Sequence, residues 1–228
     1  MPFFVVKGAI KKYSGAERTR PFLYIHDQID ADRLLLPQAI LGCELSERVA
    51  LPPEAFEVIR EHYVPSRQDV PVYTFQRANR VEGQDRLSDR LYAWRNRKNP
   101  EIRCDFSLLR MKKNRVGFSK NISLGIFCAR TIVYHAIQMA AHCGFNRIYL
   151  FGFDLNPSAG YFYPAEERSK RFTLDDHFTS RILPAFKFMS KKIVNSRFEI
   201  YNVSPQSRMP HEVCPKITYD QFFESLSK

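Results

Sequence analysis

The chain reads as an α/β protein with a parallel sheet and helices on both faces. Three observations carry that reading. Short apolar runs suited to buried strands recur along the whole length. Helix-like stretches alternate with them throughout. The stretch 121–154, NISLGIFCARTIVYHAIQMAAHCGFNRIYLFGFD, packs loop, helix, strand and acid into one continuous unit.

Taken in order, residues 3–6 open as a strand, and residues 21–25 form a second that ends at His26-Asp27, with a short basic helical connection between them. Helix-like stretches follow at 30–36 and 53–62, around a short strand near Val49, and residues 71–75 form a further strand. Apolar residues at Ile126, Ala129, Val133, Ala136, Ile137 and Ala140 then mark one face of a long helix. Ser123 suits its N-cap, and Gly144 supplies the left-handed residue that stops it. The strand 147–152 comes next, with Asp154 just past its end. Residues 156–163 read as a turn and an aromatic loop. Residues 175–192 read as a helix interrupted early by Pro184, 198–203 as a last strand, 204–207 as a loop, and a short helix begins near Thr218.

At 228 residues the chain suits one domain spanning 1–228, with 77–120 as a basic lid or insertion of irregular or helical structure. No apolar run approaches the ~20 residues of a membrane span, and the N-terminus lacks the pattern of a signal peptide. Five cysteines without paired spacing argue against a zinc site or a disulfide framework, and a reducing cytosol is the expected setting. The formal charge of +11 is concentrated: residues 77–120 hold thirteen Lys/Arg against five Asp/Glu. A surplus so local suits an anionic partner such as nucleic acid, a phosphorylated glycolipid or a membrane surface. It equally suits a solvated helical face, since Glu82, Asp85 and Asp89 interleave.

Ligands of open α/β sheets bind beyond the carboxyl ends of the strands, where helix N-termini favour anions. That rule places Ser123, Gly125 and Asp154 near one ligand site. The same residues fit a glycine that only shortens a turn and an acid that only caps a loop.

Three segments carry a resemblance. Residues 116–125 (VGFSKNISLG) with the helix after them, 149–155 (YLFGFDL) and 182–189 (ILPAFKFM) closely resemble the lipopolysaccharide core biosynthesis proteins of the side-branch Kdo transferase type. More distantly, Ile122-Ser-Leu-Gly125 and Tyr149-Leu-Phe-Gly-Phe-Asp154 are similar to the motifs of the family-42 sialyltransferases. The resemblance implies a Rossmann-like, GT-A-like glycosyltransferase that uses a CMP-linked 2-keto sugar acid and no metal or other cofactor. It implies His177 as general base, a role suited to an imidazole titrating near neutrality, with Asp175 or Asp176 orienting the ring. It implies donor contacts from Lys7, Ser123, Gly125, Asp154, Asn156, Tyr161 and Tyr163, and from Ser204 and Ser207 near the cytidine. From the residues alone, His177 also fits a surface position at a helix start, and Tyr161 and Tyr163 fit plain packing.

The chain departs from these families in places. It starts one strand later than their N-terminal strand and Gly-rich loop, Lys7 stands where they carry Asn, Leu124 replaces a Ser, and Asn156 replaces a phosphate-holding Tyr. The expected activity is metal-independent, inverting transfer of Kdo from CMP-Kdo to an inner-core sugar. The expected place is the cytoplasm, peripheral to the inner membrane, with 77–120 facing anionic lipid and the lipid A-core acceptor. The alternatives are a CMP-sialic acid-dependent enzyme, or a non-catalytic relative that binds core oligosaccharide or a partner transferase. Nucleic-acid binding is a lesser option, with no recognition motif to support it.

Overall fold

Four short strands lie side by side and parallel in the first of the chain's two units: β1 (Phe4–Val6), β2 (Leu23–Ile25), β3 (Val49–Leu51) and β4 (Val72–Thr74), in that spatial order. The computed structural model describes residues 2, 4–6, 20–27, 36–63, 70–81, 84–105, 116–156 and 174–227. Val5 stands opposite Tyr24, Ile25 opposite Ala50 and Ala50 opposite Tyr73. β2 and β3 are buried at every position, as the inner strands of a parallel sheet must be. The crossovers are α1 (Leu36–Leu45) between β2 and β3, and α2 (Pro53–His62) between β3 and β4. Gly42 lets α1 approach the sheet, because a Cβ there would stand 2.2 Å from the Tyr24 ring. The Tyr24 hydroxyl bonds His26 Nδ1 at 2.9 Å, and burial raises its pKa well above the usual phenol value.

The α/β class and the parallel sheet flanked by helices are as the alternation predicts. α2 covers the expected 53–62, while α1 lies beyond the helix expected at 30–36, most of which is outside the described residues.

The second unit comprises Arg77–Gly160 and Phe172–Lys228. It opens with a hairpin of β5 (Arg80–Val81) and β6 (Gln84–Asp85), followed by α3 (Asp89–Arg95), whose N-cap Ser88 hydroxyl accepts from Leu91 N–H. β7 (Ile102–Cys104) pairs antiparallel with β8 (Gly117–Ser119). Ile102 and Phe118 are almost fully buried and join the unit's main core. The segment expected as irregular or helical lid material contains α3 and also supplies core through Ile102 and Phe118, with 106–115 outside the described residues.

α4 (Ile132–His142) is shorter than the sequence pattern predicts. The expected helix start at Ser123 is instead a single 3₁₀ turn, Ile122–Leu124, capped by the Asn121 side chain. Residues 126–129 then run outside any helix, with Ile126 bridging Arg77, Arg130 takes φ 61°, and the true N-cap is Thr131. The stop is as expected: Gly144 has φ 84°, its N–H donates to Ala141 O and the Phe145 N–H donates to Ala140 O, a Schellman ending.

Gln138 explains the late start. Its side chain is fully buried on α4, and its Oε1 accepts from both Ser119 N–H and Phe127 N–H at 3.0 Å. Its Nε2 donates to Phe127 O at 2.9 Å and Tyr134 O at 3.0 Å. The amide orientation is forced, since a flip would set donors against donors. The clamp holds Phe127 in an extended path alongside β8, where a helix would have hidden its backbone groups from Gln138. One turn earlier, the fully buried Tyr134 donates to Gly117 O at 2.9 Å and Ala185 O at 3.3 Å.

The remaining elements are β9 (Arg147–Leu150), α5 (Leu174–His177), a π turn (Phe178–Ile182), α6 (Leu183–Lys192), β10 (Glu199–Asn202) and α7 (Tyr219–Leu226). β9 and β10 are parallel neighbours. The expected break at Pro184 is absent: helical structure runs from Leu174 to Lys192. A proline ring clashes with the carbonyl four residues back, here Ser180, and the π turn widens the backbone at that point. α7 begins with a capping box between Thr218 and Gln221, where the sequence places it. Among the described residues, no helix is long and apolar enough to cross a membrane.

Gln138→Leu is expected to destabilise the protein by about 3 kcal/mol or more, because it strands two buried N–H groups and a carbonyl. Urea unfolding would measure it, and a change below about 0.5 kcal/mol would show that the clamp is dispensable. Burial also pushes Cys43, Cys104 and Cys214 up to about 12 from the usual 9.0. These thiols stay neutral in the folded chain when their unfolded counterparts ionise. Stability from this source is therefore complete below about pH 9 and declines as the pH rises toward 12. Cys214→Ala should lessen the loss of unfolding midpoint between about pH 8 and pH 10.

Candidate active site

The loops after β9 and β10 leave the same edge of a parallel pair, with Leu150 opposite Asn202, so they meet. Four hydrogen bonds join them. Val203 N–H donates to Leu150 O at 2.8 Å and Arg208 N–H donates to Asp154 O at 2.7 Å. The Ser207 hydroxyl donates to Phe153 O at 2.6 Å, and the buried Asn202 amide donates to the same carbonyl at 3.2 Å. Positive φ at Gly152 (66°) and Leu155 (56°) bends the chain on either side of Asp154. The Asp154 side chain is half-buried and makes no hydrogen bond among the described residues.

Ser204 and Ser207 hold this junction from within. Asn202 Oδ1 accepts from Ser204 N–H at 3.0 Å, and Ser204 O accepts from Ser207 N–H at 3.0 Å. The Ser207 hydroxyl also accepts from Met209 N–H at 3.2 Å. Both serines are buried, and the Ser207 hydroxyl is committed to shaping the turn. The Lys216 ammonium donates to Ser207 O at 2.6 Å.

α5 reaches the same place through Arg208. Its guanidinium donates to the Asp175 carboxylate and lies 4.1 Å from the centre of the Phe178 ring. His177 falls between those two contacts in sequence, is half-buried, and makes no side-chain hydrogen bond among the described residues. Asp175 thus pairs with Arg208, where sequence reasoning offered it as the residue orienting His177. Positions two apart on a helix point to different sides, so the two side chains do not face each other. The side chain of Asp176 lies outside the described residues.

Ser123 and Gly125 belong to another cluster. The Ser123 hydroxyl donates to Asn121 Oδ1 at 2.7 Å, and Asn121 Nδ2 donates to Glu101 at 3.2 Å. Gly125 has φ 98°, and a Cβ there would stand 2.6 Å from Ala78 Cα. Its place is explained by close backbone packing, with Ala78 N–H donating to Ile126 O at 2.9 Å. The helix N-terminus expected at Ser123 is absent, so the anion-binding argument built on it does not apply. Asn156 is exposed, while Lys7, Tyr161 and Tyr163 lie outside the described residues.

A family model described as 3-deoxy-D-manno-octulosonic acid transferase WaaZ matches residues 61–220, well over half of the chain. The chain belongs to this family. Two curated relatives are similar: a probable 3-deoxy-manno-octulosonic acid transferase of Escherichia coli K12, 36% identical over 119 residues, and one of Salmonella typhimurium LT2, 33% identical over 110. The matches cover 51% and 48% of this chain but only 41% and 40% of the relatives' own length. No solved structure matches. The family match to the WaaZ transferases includes the whole β9–β10 junction, Arg208 and α5.

The structure therefore brings together Asp154, Ser204, Ser207 and the segment carrying His177, and adds Arg208 and Lys216, which sequence reasoning missed. The available signal for Arg208 was its position, a lone arginine after a polar loop beyond the last parallel strand. The junction sets the carboxylates of Asp154 and Asp175 and the cations of Arg208 and Lys216 around one turn, with His177 on the neighbouring helix.

Gly125→Ala is expected to destabilise the chain by about 2 kcal/mol or more, through strain at positive φ and contact with Ala78. Loss of CMP affinity with an unchanged urea midpoint would instead make Gly125 a ligand contact.

Proposed function

We propose that this chain carries the transfer site of a lipopolysaccharide core glycosyltransferase, which moves Kdo from CMP-Kdo to an inner-core sugar without a metal. The observation that carries the reading is the convergence of Asp154, Arg208 and α5 at the carboxyl ends of β9 and β10. Family membership supports the sugar acid, and the relatives' names support transfer.

In this scheme His177 takes the proton from the acceptor hydroxyl as that oxygen attacks the anomeric carbon. Attack from the face opposite the leaving group inverts the centre through an oxocarbenium-like state. Charge grows on the departing CMP phosphate. Arg208 and Lys216 stand beside the loop that meets it, and preorganised cations stabilise such charge with little rearrangement. Asp154 accepts hydrogen bonds from sugar hydroxyls, and Asn156 stands next along the same loop. Ser204 and Ser207 act by fixing the turn. The resemblance adds Lys7, Tyr161 and Tyr163 as further phosphate contacts, and Ser123 and Gly125 as further donor contacts. Residues 77–120 would face the phosphates of the acceptor and the cytoplasmic leaflet of the inner membrane.

Calorimetric titration of CMP in EDTA, for the full chain beside His177→Ala and Arg208→Ala, tests the scheme. The wild type and His177→Ala should bind alike, and Arg208→Ala should bind about tenfold more weakly or worse. With CMP-Kdo and acceptor, His177→Ala should lose about 10²- to 10⁴-fold in turnover. A wild-type chain that ignores CMP, or an alanine variant that turns over normally, would sink the proposal.

A further inference from the structure

A second site lies in the same unit, on a different set of elements. The C-terminal ends of α3 and α6 and the strand β7 enclose a cleft of about 460 Å³, a size typical of small-molecule sites. Among the described residues its wall includes Arg97, Arg103, Lys191 and Lys192, and no carboxylate. Asp89 acts on the wall from outside it, raising the pKa of Cys104 after burial does.

Two of the cations have a local reason, since lysines suit the last turn of α6. Arg97 bonds a last-turn carbonyl of α3, as arginines at helix ends do, while Arg103 on β7 lines the same space without such a reason. Gathering four like charges costs repulsion that an anion would relieve.

The cleft also has a fixed aromatic face. The Arg97 guanidinium sits 4.3 Å from the centre of the Trp94 ring, and its Nη1 donates to Trp94 O at 2.9 Å. Trp94 nevertheless stays 55% exposed, so the indole has surface left for a ligand. An indole face beside forked donors suits a ring with C–H groups on one side and a phosphoryl group on the other.

The cleft is separate from the transfer site. His177 and Lys191 lie fourteen positions apart along one helical run, which is roughly 20 Å at the usual rise per residue. One nucleotide sugar does not span that distance, whereas an oligosaccharide does.

We propose that the Trp94–Arg103–Lys192 cleft binds a phosphoryl group carried on a saccharide, and that it holds the acceptor at a distance from the transferred sugar. The phosphoryl site stands on the cleft alone. Its assignment to the acceptor rests on the proposed function.

Trp94 is the chain's only tryptophan, so intrinsic fluorescence reports directly on the cleft. The test titrates the full chain with glucose 6-phosphate, glucose, and vesicles of phosphatidylglycerol or phosphatidylcholine. A saturable change with glucose 6-phosphate and none with glucose is expected. The exposed pair Lys191→Gln/Lys192→Gln should weaken that response about tenfold or more. The same variant should leave the urea midpoint and CMP affinity unchanged, while Arg208→Ala should leave the fluorescence response unchanged. No response to glucose 6-phosphate, an equal response from the double variant, or a response only to phosphatidylglycerol vesicles would overturn the proposal. Failure of CMP to bind, with the cleft still titrating, would remove the transferase reading and leave the phosphoryl site standing.

Discussion

The second unit depends on one side-chain amide. Gln138 receives two backbone N–H groups, from β8 and from the extended segment after the 3₁₀ turn, and returns two bonds to backbone carbonyls. Among these elements it does what a strand ladder would do elsewhere. Because the amide is fully buried, each of those groups lacks water as an alternative partner. The positions of α4, β8 and the approach to Gly125 are therefore set together, and Tyr134 extends the same registration to α6.

This clamp also explains where sequence reading ran out. Strands were legible because β2 and β3 are short apolar runs and β10 alternates buried and half-buried residues, and α7 was legible from its start near Thr218. The start of α4 was not. Ile126 and Ala129 keep helical spacing with Val133 and Ile137, yet they are buried outside the helix. Periodicity records which residues are buried, and two different backbones can bury the same set. The π turn was hidden for a related reason: Pro184 signals a conflict without saying how the chain resolves it.

The candidate site divides along the same line. Asp154 follows a strand directly, so its placement needed only local pattern. Arg208 becomes visible only when β10 is known to pair with β9, which brings two loops more than fifty residues apart to one edge. Lys191, Lys192 and Arg103 likewise meet across distant segments. Residue type was readable at each position, while company was not. The basic tract illustrates this well, since its charge was counted correctly while β7 and β8 within it supply Ile102 and Phe118 to the core.

The π turn between α5 and α6 carries a consequence for phase. One residue in a helix amounts to about 100° of rotation. A wide turn of Phe178–Ile182 therefore decides which way α5 faces relative to the buried stripe of Ile182, Phe186 and Met189. With a uniform α-helix in its place, the core stripe could stay seated while Asp175 swung away from Arg208. The irregularity works as an angular offset, letting one rod satisfy the packing of its far half and the aim of its near half.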